Sequence, residues 1–208
     1  MSSRADPLSQ AAPGDEVSLP PPRDKGPMSV EEAIAHRRSV RDFRSQPLGL
    51  AEVSQLLWSA QGVTSPDGLR AAPSAGARYP LETYLVCEQG LFHYRFREHS
   101  VVKVQESDLR GPLADACCGQ SFIADAAVSI VFSAVYERTT ARYGERGIRY
   151  VHMDIGHAAE NVHLQAEAMG LGSVPVGAFD DAAVADVLRL PNDRQIVYIV
   201  SIGHPQRD

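Results

Sequence analysis

Three arginines and a serine lie close together in the stretch HRRSVRDF, which spans residues 36–43. They are Arg37, Arg38, Ser39 and Arg41. The planar guanidinium group of Arg matches the oxygens of a phosphate, and a Ser hydroxyl adds one more donor. This pattern indicates a site for a phosphate-bearing ligand. The alternative is a cationic helix C-terminus, because the helix dipole favours basic side chains near the last turn.

Two other segments combine proline with glycine and small residues: APSAGARYP at 72–80 and GLGSVPVGAFD at 170–180. Small side chains let a flat ligand approach the backbone, and N–H groups there can point at a ligand instead of a sheet partner. Each segment is also typical of an ordinary loop or turn. Neither is a dinucleotide fingerprint, since no strand precedes GLGSVPVG and no ribose-binding acid follows it at the proper distance.

Three histidines, His152, His157 and His163, fall on one predicted helix. A metal site is conceivable there. However, the step from His157 to His163 is a poor one for two ligands of one metal, and no carboxylate set accompanies them. We therefore expect no metal site.

The composition is that of a globular protein, with 44% hydrophobic and 22% charged residues. A formal net charge of −6 argues against a nucleic-acid partner, which normally meets a broad basic surface. Cys87, Cys117 and Cys118 form an odd set without zinc spacing, which indicates reduced thiols. No apolar run reaches the roughly 18 residues of a membrane helix, and the N-terminus lacks the apolar part of a secretory signal. The expected location is the cytoplasm, away from membranes.

The elements that would position these segments follow from periodicity and capping. Residues 1–27, rich in Pro, Ser, Gly and charge, are expected to be a disordered or extended lead-in, and residues 28–208 to form the folded domain. Ser29 and Glu32 predict a capping box for a helix that ends near Arg38. Gly62 predicts the end of a second helix, GLAEVSQLLWSAQG.

Apolar runs further along predict strands in LETYLVCE, LFHYRFRE, VVKVQE, AAVSIVFSAVY, SVPVGAF and QIVYIVSIG. Helices are predicted over 108–118, from about Tyr150 to Met169, and in DDAAVADVLRL. Strands and helices mix without regular alternation, which predicts an α+β sheet with helices packed on it.

Taken in order, these stretches resemble the nitroreductase family of flavoproteins, most closely its SagB/ThcOx-type dehydrogenase branch. RRSVRDF is similar to the family's flavin-phosphate motif and APSAGARYPLETYLV to its second motif. YVHMDIGHAAENVHLQAEAMGLGSVPVGAF is similar to its central helix and flavin-facing turn, and IVSIGHP to its last strand. The resemblance covers residues 29–208. It implies a nitroreductase-like fold, with a mainly antiparallel sheet flanked by helices, in an intertwined homodimer that binds FMN at the subunit interface.

Three segments would hold the flavin, by this resemblance. The arginine turn (residues 37–41) takes the phosphate, ribityl chain and pyrimidine edge, and Arg207 matches a basic residue that contacts the same phosphate. The small-residue loop (residues 73–77) reaches a flavin held mainly by the other subunit. The ring turn (residues 175–178) lies along the flavin ring. The residues implied are Arg37, Arg38, Ser39 and Arg41 in the first segment, Pro73, Ser74, Ala75 and Ala77 in the second, and Pro175, Val176, Gly177 and Ala178 in the third.

The activity that the resemblance implies is FMN-dependent oxidoreduction, with hydride passing through flavin N5 in ping-pong order. The reductant is an organic substrate, small or peptide-borne, or NADH or NADPH, and a second acceptor follows. The alternatives are an NAD(P)H-dependent nitro or quinone reductase, an azoline dehydrogenase acting on peptides, and a flavin-binding module without turnover.

The pair Arg142-Tyr143 aligns with a Lys-Tyr pair of azoline-oxidising members of this branch. Arg is not a base near neutral pH, because its pKa stays above about 12. Tyr143 is therefore the candidate catalytic residue for proton transfer. The alternative is that both residues belong to a polar, mobile surface loop.

The predicted central helix also bears on assembly. It is rich in Ala and Gly, and its polar residues would be unusual on a helix buried within a monomer: Asn161, His163, Gln165 and Glu167. They predict that one face of the helix meets the sheet and another meets a symmetry mate.

Overall fold

A seven-stranded antiparallel sheet forms the centre of the protein in a computed structural model, which describes residues 6–206. The strands are β1 (Glu16–Ser18), β2 (Leu81–Cys87), β3 (Gly90–Arg95), β4 (Ser100–Gln105), β5 (Val128–Ala134), β6 (Gly172–Val176) and β7 (Gln195–Gly203). Their order across the sheet is β1-β4-β3-β2-β5-β7-β6, and neighbours are antiparallel. The α+β fold with a mainly antiparallel sheet is confirmed.

Eight helices connect or cover these strands in the described residues: α1 (Pro7–Gln10), α2 (Val30–His36), α3 (Leu50–Gln61), α4 (Arg110–Ala116), α5 (Phe122–Asp125), α6 (Glu137–Tyr143), α7 (Arg146–Ala168) and α8 (Asp181–Leu188). The capping box of α2 is confirmed, since Ser29 Oγ accepts from the Glu32 N–H at 3.1 Å and Glu32 Oε2 accepts from the Ser29 N–H at 2.8 Å. The helix ends at His36, before the arginine turn, because Arg37 leaves helical geometry at ψ 125°.

The sheet is buried on both faces. Successive side chains of a strand point to opposite sides, so Phe132 and Val131 of β5 enter different clusters. Phe132 belongs to the cluster that α3 and α7 cover, with Leu56 and Val162 in it. Val131 belongs to the cluster under α4 and α8. The long helix α7 is therefore fixed against one face of the sheet.

The N-terminal segment corrects one expectation. Residues 6–27 are not a disordered or extended lead-in outside the domain, because α1 and β1 belong to the folded body and β1 pairs with β4 at one edge of the sheet. Leu8 and Leu19 are buried. Further on, the side-chain amide of Gln55 bonds to both the N–H and the carbonyl of Arg23, at 2.8 and 3.1 Å. A few buried apolar side chains and these polar contacts are enough to hold the segment, because β4 at the sheet edge supplies backbone hydrogen-bond partners for β1.

Two polar residues of α7 also differ from the expectation of a symmetry mate. Asn161 donates to the carbonyls of Ser59 and Ala71 at 3.1 and 3.3 Å, and Gln165 accepts from Gln55 at 3.0 Å. Both are satisfied within one chain. They hold α7 to α3 and to the segment that precedes the small-residue loop.

Two further features concern membranes and metals. In residues 6–206, none of the helices is both long and apolar enough to span a membrane. Within the same range, no cluster of three or more His, Cys, Asp or Glu side chains is arranged to hold a metal ion.

Candidate functional site

The three cations of the arginine turn point to different partners. Arg37 is half-buried and its Nη1 lies 2.9 Å from Nε2 of His163 on α7. Arg38 is exposed, and its Nη1 donates to the carbonyls of Ala35 and Arg37 at 3.1 and 2.7 Å. Arg38 thus caps the end of α2, which is the alternative considered above for the cluster. Arg41 lies over the ring of Phe122, 5.7 Å from its centroid.

Arg37 is braced by two groups of α7. Besides His163, the carboxylate of Glu160 lies 3.8 Å from its Nε. His163 is buried, with 2% of its surface exposed. Burial and the nearby positive charge of Arg37 lower the pKa of His163 to about 4, so the imidazole is neutral near pH 7. Its other ring nitrogen, Nδ1, bonds to Ser173 Oγ on β6.

The arginine turn is also tied to β6 through its backbone. Ser39 forms a parallel bridge with Ser173, and the Val40 N–H donates to the Ser173 carbonyl at 3.0 Å. Gly172 permits this approach, since a Cβ atom there would lie 2.7 Å from a methyl group of Val40. The arginine turn therefore lies beside β6, and the chain that follows β6 forms the other side of the candidate site.

That continuation is the ring turn. Val176 is buried as the last residue of β6, whereas Gly177 and Ala178 are exposed. The Ala178 carbonyl accepts from the Gln120 side chain at 2.9 Å. Gln120 directly precedes the segment that carries Phe122, the ring under Arg41. One short segment thus contacts both the arginine turn and the ring turn, and the two are parts of one site.

The small-residue loop is shaped by Gly76, which lies in a 3-10 turn, Ala75–Ala77. Its φ of 60° is in the left-handed region, and a Cβ atom there would lie 2.5 Å from the Tyr143 hydroxyl. The Ser74 hydroxyl accepts from the Tyr79 N–H at 2.8 Å and closes the loop. Tyr143 is half-buried at the end of α6, so the pair Arg142-Tyr143 belongs to a helix and not to a surface loop.

A second buried residue of α7 lies under this loop. Asp154 is 5% exposed, and its Oδ1 accepts from the Ala75 N–H at a long 3.4 Å. Its Oδ2 has no hydrogen-bond partner among the described residues. Burial raises the pKa of Asp154 above its ordinary value, against the opposing effect of the hydrogen bonds from the loop.

The two halves of the candidate site lie on opposite flanks of α7. Asp154 and His163 are nine residues apart. At about 3.6 residues per turn, that is two and a half turns, or half a rotation, and roughly 13 Å along the axis. The small-residue loop and the arginine turn of one chain are therefore separated by the helix, and do not face each other.

The sequence-based interpretation missed His163 as a partner of Arg37 and Asp154 as a partner of the loop. Both residues stood in the sequence beside the buried stripe of α7, where a polar residue needs a partner. Arg207 lies outside the described residues. The chain approaches it through Gln206, whose N–H donates to the Asp42 carbonyl at 2.9 Å.

Comparisons with known proteins agree with this architecture. The sequence profile of the nitroreductase family matches residues 34–204. A protein of Methanocaldococcus jannaschii named as a nitroreductase is 43% identical over 181 residues, which cover 84% of this chain and 90% of the other. The NADPH-flavin oxidoreductase of Vibrio harveyi is 30% identical over 188 residues, 86% of this chain and 67% of the other.

A solved structure extends the agreement to three dimensions. The crystal structure of a protein from Ralstonia eutropha, named as a nitroreductase, superposes with a TM-score of 0.84 at 29% identity. The superposition covers 93% of this chain and 90% of the other. With a family profile that spans most of its length and a relative at 43% identity, the chain belongs to the nitroreductase family.

Proposed function

We propose that the protein is an FMN-dependent oxidoreductase that takes electrons from NADH or NADPH, or from an organic substrate, and passes them to a second acceptor in ping-pong order. The observation that carries the proposal is the bonding of the arginine turn to β6. Ser39 and Val40 pair with Ser173, two residues before the ring turn starts. The guanidinium groups that we propose for the phosphate are therefore close in the fold to a turn of small, exposed residues, which supports the proposal. The flavin and NADPH in the name of the Vibrio harveyi relative support the same cofactor class and donor.

The residues present fit FMN. Arg37 uses one of its five N–H groups on His163 and keeps others for phosphate oxygens. Gly177 and Ala178 are exposed and without bulk, so a planar ring can lie along them. Bound FMN supplies the two-electron chemistry, while the protein supplies position and hydrogen-bond donors. Residues 28–208 would form the FMN-binding domain, with Arg207 as a further phosphate contact.

We propose that the complete site forms in a homodimer, with FMN at the subunit interface. The small-residue loop lies on the flank of α7 opposite to the arginine turn, so a second copy must bring its loop to the flavin. An exposed stripe of α7 offers the surface. Ile148 and Met153 are 44% and 50% exposed, and Gly156 leaves open space above the helix. Exposed apolar side chains and a bare glycine permit close helix packing.

Tyr143 is the proton-transfer residue that we propose for this site. Its hydroxyl lies against Gly76, so it accompanies the small-residue loop. Arg142, which stands where azoline-oxidising relatives carry Lys, stays protonated near neutral pH. This difference favours oxidation of NAD(P)H over azoline oxidation, within the proposed SagB/ThcOx-type branch that the motifs resemble. The buried thiols of Cys87 and Cys117, whose pKa burial raises to about 11 and about 12, fit a cytoplasmic enzyme.

Spectroscopy and light scattering test the proposal. Purified protein should carry about one FMN per chain and show the absorbance bands of oxidised flavin at about 370 and 450 nm. Anaerobic reduction by NADH and NADPH should be fast with at least one of them. A flavin-binding module without turnover would be reduced slowly by every donor. A protein that binds no FMN when it is added would contradict the proposal, and a monomer that binds FMN tightly would contradict the shared site.

A further inference from the structure

His163 occupies an unusual position for an ionisable side chain. It lies on the sheet-facing helix α7, is almost fully buried, and contacts both the arginine turn and β6. Both of its ring nitrogens are engaged, one with Arg37 and one with Ser173. A histidine placed there only to fill space would not require two polar partners from two other elements.

The chemistry of Arg37 determines the state of this imidazole. A guanidinium group has donors and no acceptor, so His163 Nε2 must accept the 2.9 Å bond from Arg37 Nη1. The ring is therefore neutral, with its proton on Nδ1, where it donates to Ser173 Oγ. The chain of hydrogen bonds runs in one direction, from Arg37 to His163 to Ser173. It links the phosphate-binding arginine to the strand that leads into the ring turn.

A neutral acceptor suits this position better than the alternatives. An apolar side chain would leave a guanidinium N–H buried without a partner, which is costly. A carboxylate would satisfy that N–H but would also neutralise the charge that a phosphate needs. Glu160 already lies 3.8 Å from Arg37 Nε and is 53% exposed, so it competes for the guanidinium from the solvent side. The imidazole holds the other end of the guanidinium without removing its charge.

We propose that His163 is a positioning residue that directs Arg37 at the phosphate of FMN and so sets the preference for FMN over riboflavin. The proposal rests on the proposed function, because it needs the phosphate at the arginine turn. His163 acts through Arg37 and does not itself contact the cofactor.

Three substitutions separate the two hydrogen bonds. H163L removes both. H163Q places an amide oxygen near the position of Nε2 and keeps an acceptor for Arg37. H163N places its amide near Nδ1 and keeps a partner for Ser173 only. Each variant, freed of bound flavin, is titrated with FMN and with riboflavin, and its thermal melting is recorded as the measure of folding.

The expected result is a selective loss. H163L and H163N should bind FMN about five- to tenfold more weakly, with riboflavin changed less than about twofold. This loss is smaller than that of a direct charge-assisted hydrogen bond to the phosphate, because Arg37 itself remains. H163Q should stay within about twofold of the native protein for both. In the R37A background, H163L should add almost nothing to the loss of FMN affinity, because its effect passes through Arg37.

The outcomes distinguish this inference from the proposed function. If R37A itself leaves the ratio of FMN to riboflavin affinity unchanged, the phosphate is not at the arginine turn and the proposed function loses its support. If R37A lowers that ratio and a folded H163N or H163L does not, only the role of His163 is overturned. Equal losses for FMN and riboflavin in these variants would also overturn it, since they indicate a general packing role.

Discussion

The arginine turn and the small-residue loop each contact a different buried ionisable residue of α7, and the two contacts differ in kind. His163 makes two hydrogen bonds with two elements and leaves no ring nitrogen free. Asp154 accepts a long 3.4 Å hydrogen bond from the Ala75 N–H, and the Ser74 side chain is near enough to lower its pKa. Its Oδ2 has no hydrogen-bond partner in the described part of the chain. The segment proposed to bind the phosphate is thus fixed firmly, whereas the loop is held loosely. In the proposed dimer, such a loop would adjust as it meets the second subunit.

The two residues also titrate in opposite directions. Burial and Arg37 lower the pKa of His163, while burial raises the pKa of Asp154. Near neutral pH the arginine turn therefore lies on a neutral partner that is stable in that form. The loop lies on a carboxyl whose charged form is disfavoured by its surroundings. The same helix thus places a neutral imidazole under one half of the proposed site and a carboxyl with a raised pKa under the other.

The largest expected effect is on activity, when the arginine turn is damaged in one chain of a dimer and the small-residue loop in the other. R37A damages the arginine turn, and Gly76→Val damages the loop, because a β-branched residue is strongly disfavoured at a left-handed φ. At FMN concentrations too low for the weakened variants to bind it, each homodimer should be nearly inactive. A mixed dimer purified through two different tags should recover about half of the native activity, because a two-fold dimer has two sites and one of them is intact.

Absence of recovery would contradict the shared site, since it would mean that both halves act within one chain. The matched control is a mixed dimer of R37A and native chains. It should retain about half of the native activity under either model, and so shows that mixed dimers assemble and work.

The free energy of unfolding should depend on pH through His163, the residue that holds the arginine turn. The folded pKa of His163 is about 4 and its ordinary value is 6.5, so the unfolded chain binds the extra proton between these values. Stability from this residue is present above about pH 6.5 and is lost as the pH falls towards 4. The loss from pH 7 to 4.5 should be about 2–3 kcal/mol. The charged group in contact with the ring is Arg37, and Glu160 lies beside the guanidinium of that arginine.

The measurement is the free energy of unfolding from urea titrations of the native protein and of H163Q. Because both proteins share all other titrating groups, the pH dependence of their difference reports His163 alone. Parallel curves for the two proteins would mean that His163 does not carry this pH dependence.

Single substitutions in the arginine turn should separate two neighbouring cations. R37A should weaken FMN binding tenfold or more, since a charge-assisted hydrogen bond contributes about 1.5–3 kcal/mol, and should affect riboflavin far less. R38A should have a smaller effect, because Arg38 Nη1 is occupied by carbonyls at the end of α2. Isothermal titration with both flavins measures this. Equal effects of the two substitutions would contradict the assignment of helix capping to Arg38 and phosphate binding to Arg37.

The smallest effect is expected in the loop. Gly76→Ala should lower the free energy of unfolding by about 1 kcal/mol, because a left-handed φ is costly for any residue with a Cβ atom. The Tyr143 hydroxyl must also move, and Y143F should remove that part of the cost. The ratio of FMN to riboflavin affinity should not change in Gly76→Ala. A change in that ratio would mean that the loop contacts the phosphate end of the flavin.

The sequence predicted what local rules determine. Ser29 and Glu32, three residues apart, identified the start of α2. The apolar runs of β5 and β7 identified two central strands. The roles of His163 and Asp154 were not predictable in this way. Each depends on a partner more than seventy positions away, brought near only by the fold. Tyr143 was assigned to a possible loop because the basic, polar stretch around it is equally typical of an exposed helix.

The pairing of β1 with β4 has a consequence for how the molecule behaves among its own copies. β4 would otherwise end the sheet on that side with a row of free N–H and C=O groups, which is a template for strands of other chains. Three residues of β1 occupy that row, and the buried Leu8 and Leu19 fasten the segment on either side. The N-terminal segment thus acts as a cover against edge-to-edge aggregation. Its removal would expose a sheet edge that is prone to self-association.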